Sequence, residues 1–119
     1  MKLPGPDHPI TIAPANGRVV VRFAGEIVAD TAHALELREA SYPAVLYIPR
    51  ADAKMERYAR TAHSTHCPYK GDASYFDLAA ADRTAANAVW SYETPYPAMA
   101  QIKDHLAFYP QHVSIERSA

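Results

Sequence analysis

Between positions 63 and 71 the chain carries two histidines, its only cysteine, a lysine and one of its four glycines: His63, His66, Cys67, Lys70 and Gly71. A thiolate is the strongest nucleophile among the side chains, and nearby cations lower a thiol's pKa. Cys67 is thus a candidate catalytic nucleophile or redox centre, with Lys70, His66 and His63 close enough in sequence to activate it. The alternative is an inert thiol packed as a small hydrophobe, and Pro68 beside it suits a packed corner. His63, His66 and Cys67 are also metal-ligand types, to which His105 or His112 can add a fourth. Adjacent strand residues point to opposite faces, so His66 and Cys67 meet one metal only where the backbone turns, and no metal is assigned. Lys70-Gly71 offers an anion site, the glycine admitting backbone N–H groups and the lysine supplying charge. It is not a P-loop, because the leading glycine and the following Ser or Thr are missing. The plain reading is that Gly71 permits a turn or bulge while Lys70 pairs with Asp72 or Glu93.

The elements that position these residues must come from 119 residues, enough for one domain with a real core. Hydrophobic residues make up 49% and charged ones 21%, a globular balance. Twelve Lys and Arg against thirteen Asp and Glu leave a net charge of −1, and their scatter gives no footprint for nucleic acid. A single cysteine forms no internal disulfide, so no oxidising compartment is required. No signal-peptide core or membrane-length apolar run is visible. A cytoplasmic protein is expected, either monomer or homodimer, with no membrane partner and no cofactor.

Residues 1–9 hold three prolines and a glycine and read as an extended arm. Val19, Val21 and Phe23 alternate with Arg18, Val20 and Arg22, which predicts a half-buried strand over 18–23. Ala24-Gly25 predicts a tight hairpin turn into a second strand over 26–29. Further strands are expected where Leu35 and Leu37 alternate with Glu36 and Arg38, over 45–48, from Ser74 to Leu78, and over 89–92. Asp52 can cap a short helix over 53–58, and Pro97 can open another through Ile102. The alanine-rich stretch 79–88 has helical propensity, but Asp82, Thr84 and Asn87 interrupt any apolar stripe, so a loop is expected. Residues 105–109 and 113–116 are expected to pair as a final hairpin. Short strands outnumber short helices, which predicts a mostly β domain.

Cys67-Pro68-Tyr69-Lys70-Gly71 with Ala73-Ser74-Tyr75-Phe76, then Trp90-Ser91-Tyr92-Glu93 and Ala107-Phe108-Tyr109-Pro110, resembles the bacterial and fungal DUF427 family. Tyr47-Ile48-Pro49-Arg50 with Asp52 is similar to that family's earlier motif, and the resemblance runs over residues 15–116. It implies an Mss4-like, or β-tent, fold of splayed antiparallel sheets with one or two short helices. Relatives of that architecture hold zinc through two Cys-x-x-Cys pairs, which one cysteine excludes here. A nucleotidyltransferase label is sometimes attached to the family, whose function is unknown.

The family motifs also bring forward Arg50, Asp52, Trp90, Tyr92 and Glu93. An aromatic wall with an Arg, a Lys and two carboxylates suits a pocket for a polar ligand, although Trp90 alone suits the core. The expectation is a concave site around residues 67–71 that binds a small anionic ligand. Arg50, Asp52, Lys70, Gly71, Trp90 and Tyr92 are its binding candidates. The alternative is an enzyme, with Cys67 as nucleophile or redox centre and Glu93 as base, or with Lys70 and Arg50 holding a phosphorylated substrate. The chain's eight tyrosines add to the pocket reading, since some must turn inward and others can line a groove.

Overall fold

A computed structural model describes residues 1–119. Ten strands run in chain order: β1 (Ile10–Pro14), β2 (Arg18–Phe23), β3 (Glu26–Thr31), β4 (Leu35–Glu39), β5 (Val45–Tyr47), β6 (Tyr58–Cys67), β7 (Gly71–Ala80), β8 (Arg83–Ser91), β9 (Ala107–Phe108) and β10 (Ser114–Ser118). They form three antiparallel sheets, ordered β1-β4-β5, β10-β2-β3 and β6-β7-β8-β9. The mostly β expectation holds. No helix is long and apolar enough to cross a membrane.

The middle of the four-stranded sheet, β7 and β8, is buried on both faces, and the pleat decides which residue goes where. On one face Phe76, Leu78 and Val89 pack against Val19, Val21 and Val28 of β2 and β3. On the other, Ala73, Tyr75 and Tyr92 pack with Leu37 and Tyr47 of β4 and β5. The β1-β4-β5 sheet is tied to the four-stranded one where Ile48 and Leu106 exchange both backbone hydrogen bonds at 2.8 Å. Beyond that bridge β5 and β9 run close together without ladder pairing.

The expected short helices are 3-10 in form, and the first differs in its bounds. Residues 50–57 form two 3-10 turns, Arg50–Asp52 and Met55–Arg57, because the backbone between them is drawn onto β3. Ala53 bridges Ala29, and Lys54 N–H donates to the Val28 carbonyl at 2.9 Å. Asp52 caps nothing; its carboxylate accepts from the Thr31 hydroxyl at 2.7 Å. The second expected short helix is found at its expected bounds, as a 3-10 helix over Pro97–Ile102 with the proline in its first turn.

The loop expected over 79–88 is a hairpin instead. β7 continues to Ala80, Ala81 and Asp82 take the turn with φ of 48° and 62°, and β8 begins at Arg83. Ala80, Ala85 and Ala88 are buried in the first core, so the alanines serve close sheet packing rather than a helix. The final hairpin is also replaced. β9 adds to β8 because Leu106, Ala107 and Phe108 are all buried, whereas β10 is exposed along its length and edges β2. β6 showed no periodicity because it is an edge strand with polar side chains on both faces.

Candidate functional site

The Cys-Pro-Tyr-Lys-Gly motif is the turn of the β6–β7 hairpin. Cys67 pairs with Gly71, leaving Pro68, Tyr69 and Lys70 as the loop. Gly71 has a φ of +109°, and a Cβ there would meet only ordinary contacts, the nearest 3.5 Å away at the Thr94 carbonyl. Replacing Gly71 with alanine therefore acts through the backbone. A loss of about 1–2 kcal/mol in urea unfolding is expected.

Two segments hold this turn. Tyr96 N–H donates to the Lys70 carbonyl at 3.0 Å, and Lys2 N–H donates to the Pro68 carbonyl at 2.7 Å. The His8 ring stacks on Tyr69 with centroids 4.1 Å apart. The amino-terminal arm is thus ordered by what it packs against.

Lys70 turns inward and is 7% exposed. Its ammonium donates to the Glu39 carboxylate, which also accepts from His8 Nε2 at 2.7 Å. Burial pushes the Glu39 carboxyl up, but the hydrogen bonds from Lys70 and His8 together outweigh it, and the net shift is downward. The partner expected for Lys70 was Asp72 or Glu93. Asp72 instead pairs with His66 Nδ1 at 2.7 Å on the exposed side, because β7 alternation points it away from Lys70's cavity.

Lys70 and Glu39 form part of the wall of a cavity of about 260 Å³. Leu37 and Glu39 face it from β4, Val45 and Tyr47 from β5, Tyr75 from β7, and Trp90 from β8 with Tyr92 just beyond. Tyr109 and the exposed Tyr42-Pro43 corner complete the wall. Its hydroxyls are mostly engaged: Trp90 Nε1 donates to Tyr47 at 3.3 Å, and Tyr75 lies 2.9 Å from the Thr65 hydroxyl and 3.3 Å from that of Tyr109. The Tyr92 hydroxyl has no partner in the protein and is not sealed off from solvent. Burial pushes the Tyr47 and Tyr92 phenols above their ordinary range. Tyr109, first by burial and then by Tyr75, is pushed up to about 12. At neutral pH all three are protonated and able to donate.

The sequence candidates divide across the sheet. Lys70, Trp90 and Tyr92 meet at the cavity. Arg50 and Glu93 lie on the other face, where Ser91 and Phe76 also point: Arg50 donates to Glu93 at 3.0 Å and to Ser91 Oγ at 2.9 Å. Arg60 donates to the same Glu93 oxygen, and both guanidiniums sit over the Phe76 ring, 5.4 and 5.2 Å from its centroid. The Arg60 hydrogen bond is the main cause that holds the Glu93 carboxyl down at about 2. Asp52 is engaged with Thr31, and Gly71 shapes the turn.

Cys67 is half-buried beside the second core, with Sγ 3.9 Å from Lys70 Nζ. It is therefore on the inner side of the sheet, not with Glu93. His66 points to the opposite side from Cys67, and His63 packs edge-on against Tyr75 at 4.5 Å. No group of three or more His, Cys, Asp or Glu side chains is placed to hold a metal ion.

A family model described as a domain of unknown function (DUF427) matches residues 11–119. The chain belongs to this family. No curated protein matches it significantly. Within this DUF427 domain the four motif segments have different positions: Cys67–Gly71 forms the hairpin turn, Trp90 and Tyr92 the cavity wall together with Tyr109 of the Ala107–Pro110 segment, and Arg50 the ion pair behind the sheet. Glu39, His8, Tyr47, Tyr75 and Tyr109 were missed as site residues. Glu39 had a visible signal, since it shares strand parity with Leu35 and Leu37 and is thus an acid on the apolar side of β4. His8 had none, because its contacts depend on how the arm crosses the turn.

Proposed function

We propose that the protein binds a small molecule in the cavity between β4, β5, β7 and β8. A carbonyl or carboxylate head is held by Lys70 and Tyr92, and a flat body lies between the aromatic rings. The observation that carries this reading is Lys70, a lysine 7% exposed at the wall of a cavity of about 260 Å³. An ammonium has three N–H donors, and Glu39 retains His8 as a second partner, so Lys70 has capacity for a ligand. A mostly apolar concavity with a few placed polar groups is the usual character of a small-molecule site. The anionic ligand expected from sequence keeps Lys70 in this reading and loses Arg50, whose donors go to Glu93, Ser91 and the Asp104 carbonyl. The unpaired seam of β5 and β9 serves as the open side of a β-tent-like arrangement. No covalent step is invoked, and Cys67 has a packing role.

Trp90 is the chain's only tryptophan and lines the cavity, so its fluorescence reports occupancy. Sodium benzoate and benzamide are suitable probes. Saturable changes are expected with at least one, the preferred probe naming the head group. Tyr92→Phe should weaken that probe by about fivefold to tenfold, the worth of one hydrogen bond, without lowering stability, because the hydroxyl has no partner to lose. Linear, unsaturating responses to both probes would sink the reading.

A further inference from the structure

A second hollow, of about 390 Å³, lies beside the first, and its character differs. It is an apolar groove, with Leu46, Phe108, Pro110 and Ile115 along it, and no charged side chain lines it. Tyr42, Pro43, Val45 and Trp90 border both spaces, so cavity and groove are neighbours on one wall. The groove lies at the seam of β5 and β9, which supply Val45, Leu46 and Phe108 and carry no ladder pairing beyond the Ile48–Leu106 bridge. Ile115 on β10 is 36% exposed and Tyr42 is 65% exposed. Large apolar side chains left in water next to a chamber that holds a buried ammonium have a common explanation if one ligand spans both.

We infer that the ligand is a small amphiphile, whose carbonyl or carboxylate head enters the cavity at Lys70 and whose apolar tail lies in this groove across Trp90. The inference rests on the cavity reading above and adds the ligand's second half. It excludes compact, multiply charged ligands such as nucleotides, since the groove offers no cation to their phosphates. The charge pattern is complementary: the one buried ammonium is at the head end, and the tail end carries none. Burial of methylenes against such a surface strengthens binding by about twofold to threefold each, less than full burial gives because the groove stays open on one side.

The test is a series of 4-alkylbenzoates, from benzoate to 4-octylbenzoate, followed by Trp90 fluorescence below the concentrations at which the probes aggregate. Affinity is expected to rise about twofold to threefold per methylene over the first several carbons and then level off as the groove is filled. Ile115→Asp and Ala44→Glu, the second in an exposed loop that lines the groove, should flatten the series while leaving benzoate itself unchanged. Unaltered thermal melts confirm that either variant is folded. If benzoate binds but chain length has no effect, or if both variants keep the wild-type slope, the tail is not in the groove and the inference is overturned. If benzamide alone binds, the same series of 4-alkylbenzamides is read in the same way; if neither benzoate nor benzamide binds, the cavity reading falls and the amphiphile falls with it.

Discussion

Lys70→Met is expected to cost about 2–4 kcal/mol of stability at pH 7, measured by urea unfolding. The lysine side chain is 9% exposed and that of Glu39 17% exposed, so removing the ammonium leaves a mostly buried carboxylate with His8 as its remaining partner. Breaking a buried pair from one side is costly for that reason, whereas replacing both partners with apolar groups is far less so. The double substitution Lys70→Met with Glu39→Leu should therefore recover most of the loss, and the difference between single and double variants isolates the coupling. The pH dependence follows from the direction of the Glu39 shift. Its folded pKa is lowered, so its contribution is present above the unfolded carboxylate value and fades as pH falls through the folded one. In Lys70→Met that aid is gone and burial dominates, so the variant should be less impaired at pH 4 than at pH 7.

Glu93→Gln carries the second large effect, about 1–2 kcal/mol. Arg50 and Arg60 both direct guanidinium groups at one Glu93 oxygen, above the Phe76 ring. Without the carboxylate two cations face each other, but Arg60 is half-exposed and water screens part of the repulsion. The Glu93 carboxyl titrates near 2 in the folded protein, well below its usual unfolded value of about 4.3. Wild-type stability from this group is complete above the unfolded value and is lost as pH drops from there through about 2. Melting curves between pH 7 and pH 2 should show the wild-type advantage over Glu93→Gln shrinking only in the acid limb. A constant gap across that range would mean that Glu93 acts through packing rather than charge.

The strands with one wet face were legible. Val19, Val21 and Phe23 alternate with polar or less buried positions, and the structure places them in the first core. The alanines of 80–88 were not legible, because alanine fits a helix or a closely packed sheet equally well and only the neighbouring β2–β3 sheet decides between them. β6 escaped notice since a polar edge strand has no hydrophobic period to read. The motif residues themselves were visible, yet their convergence was not. Trp90 and Tyr92 differ in parity from Ser91 and Glu93, which by itself separates the aromatic wall from the Arg50 ion pair. The true partner of Lys70 lies 31 residues away at Glu39, a distance over which strand pairing rather than spacing determines contact.

Placement of a ligand in the cavity is tested most directly by isotope-filtered NOEs between unlabelled 4-butylbenzoate and the uniformly labelled protein. Contacts from the benzoate ring to the Tyr92 and Tyr47 rings, with butyl protons reaching Trp90, Phe108 and Ile115, are the expected result. NOEs confined to the exposed Tyr42, or to residues of the Arg50–Glu93 face, would contradict a binding site at Lys70.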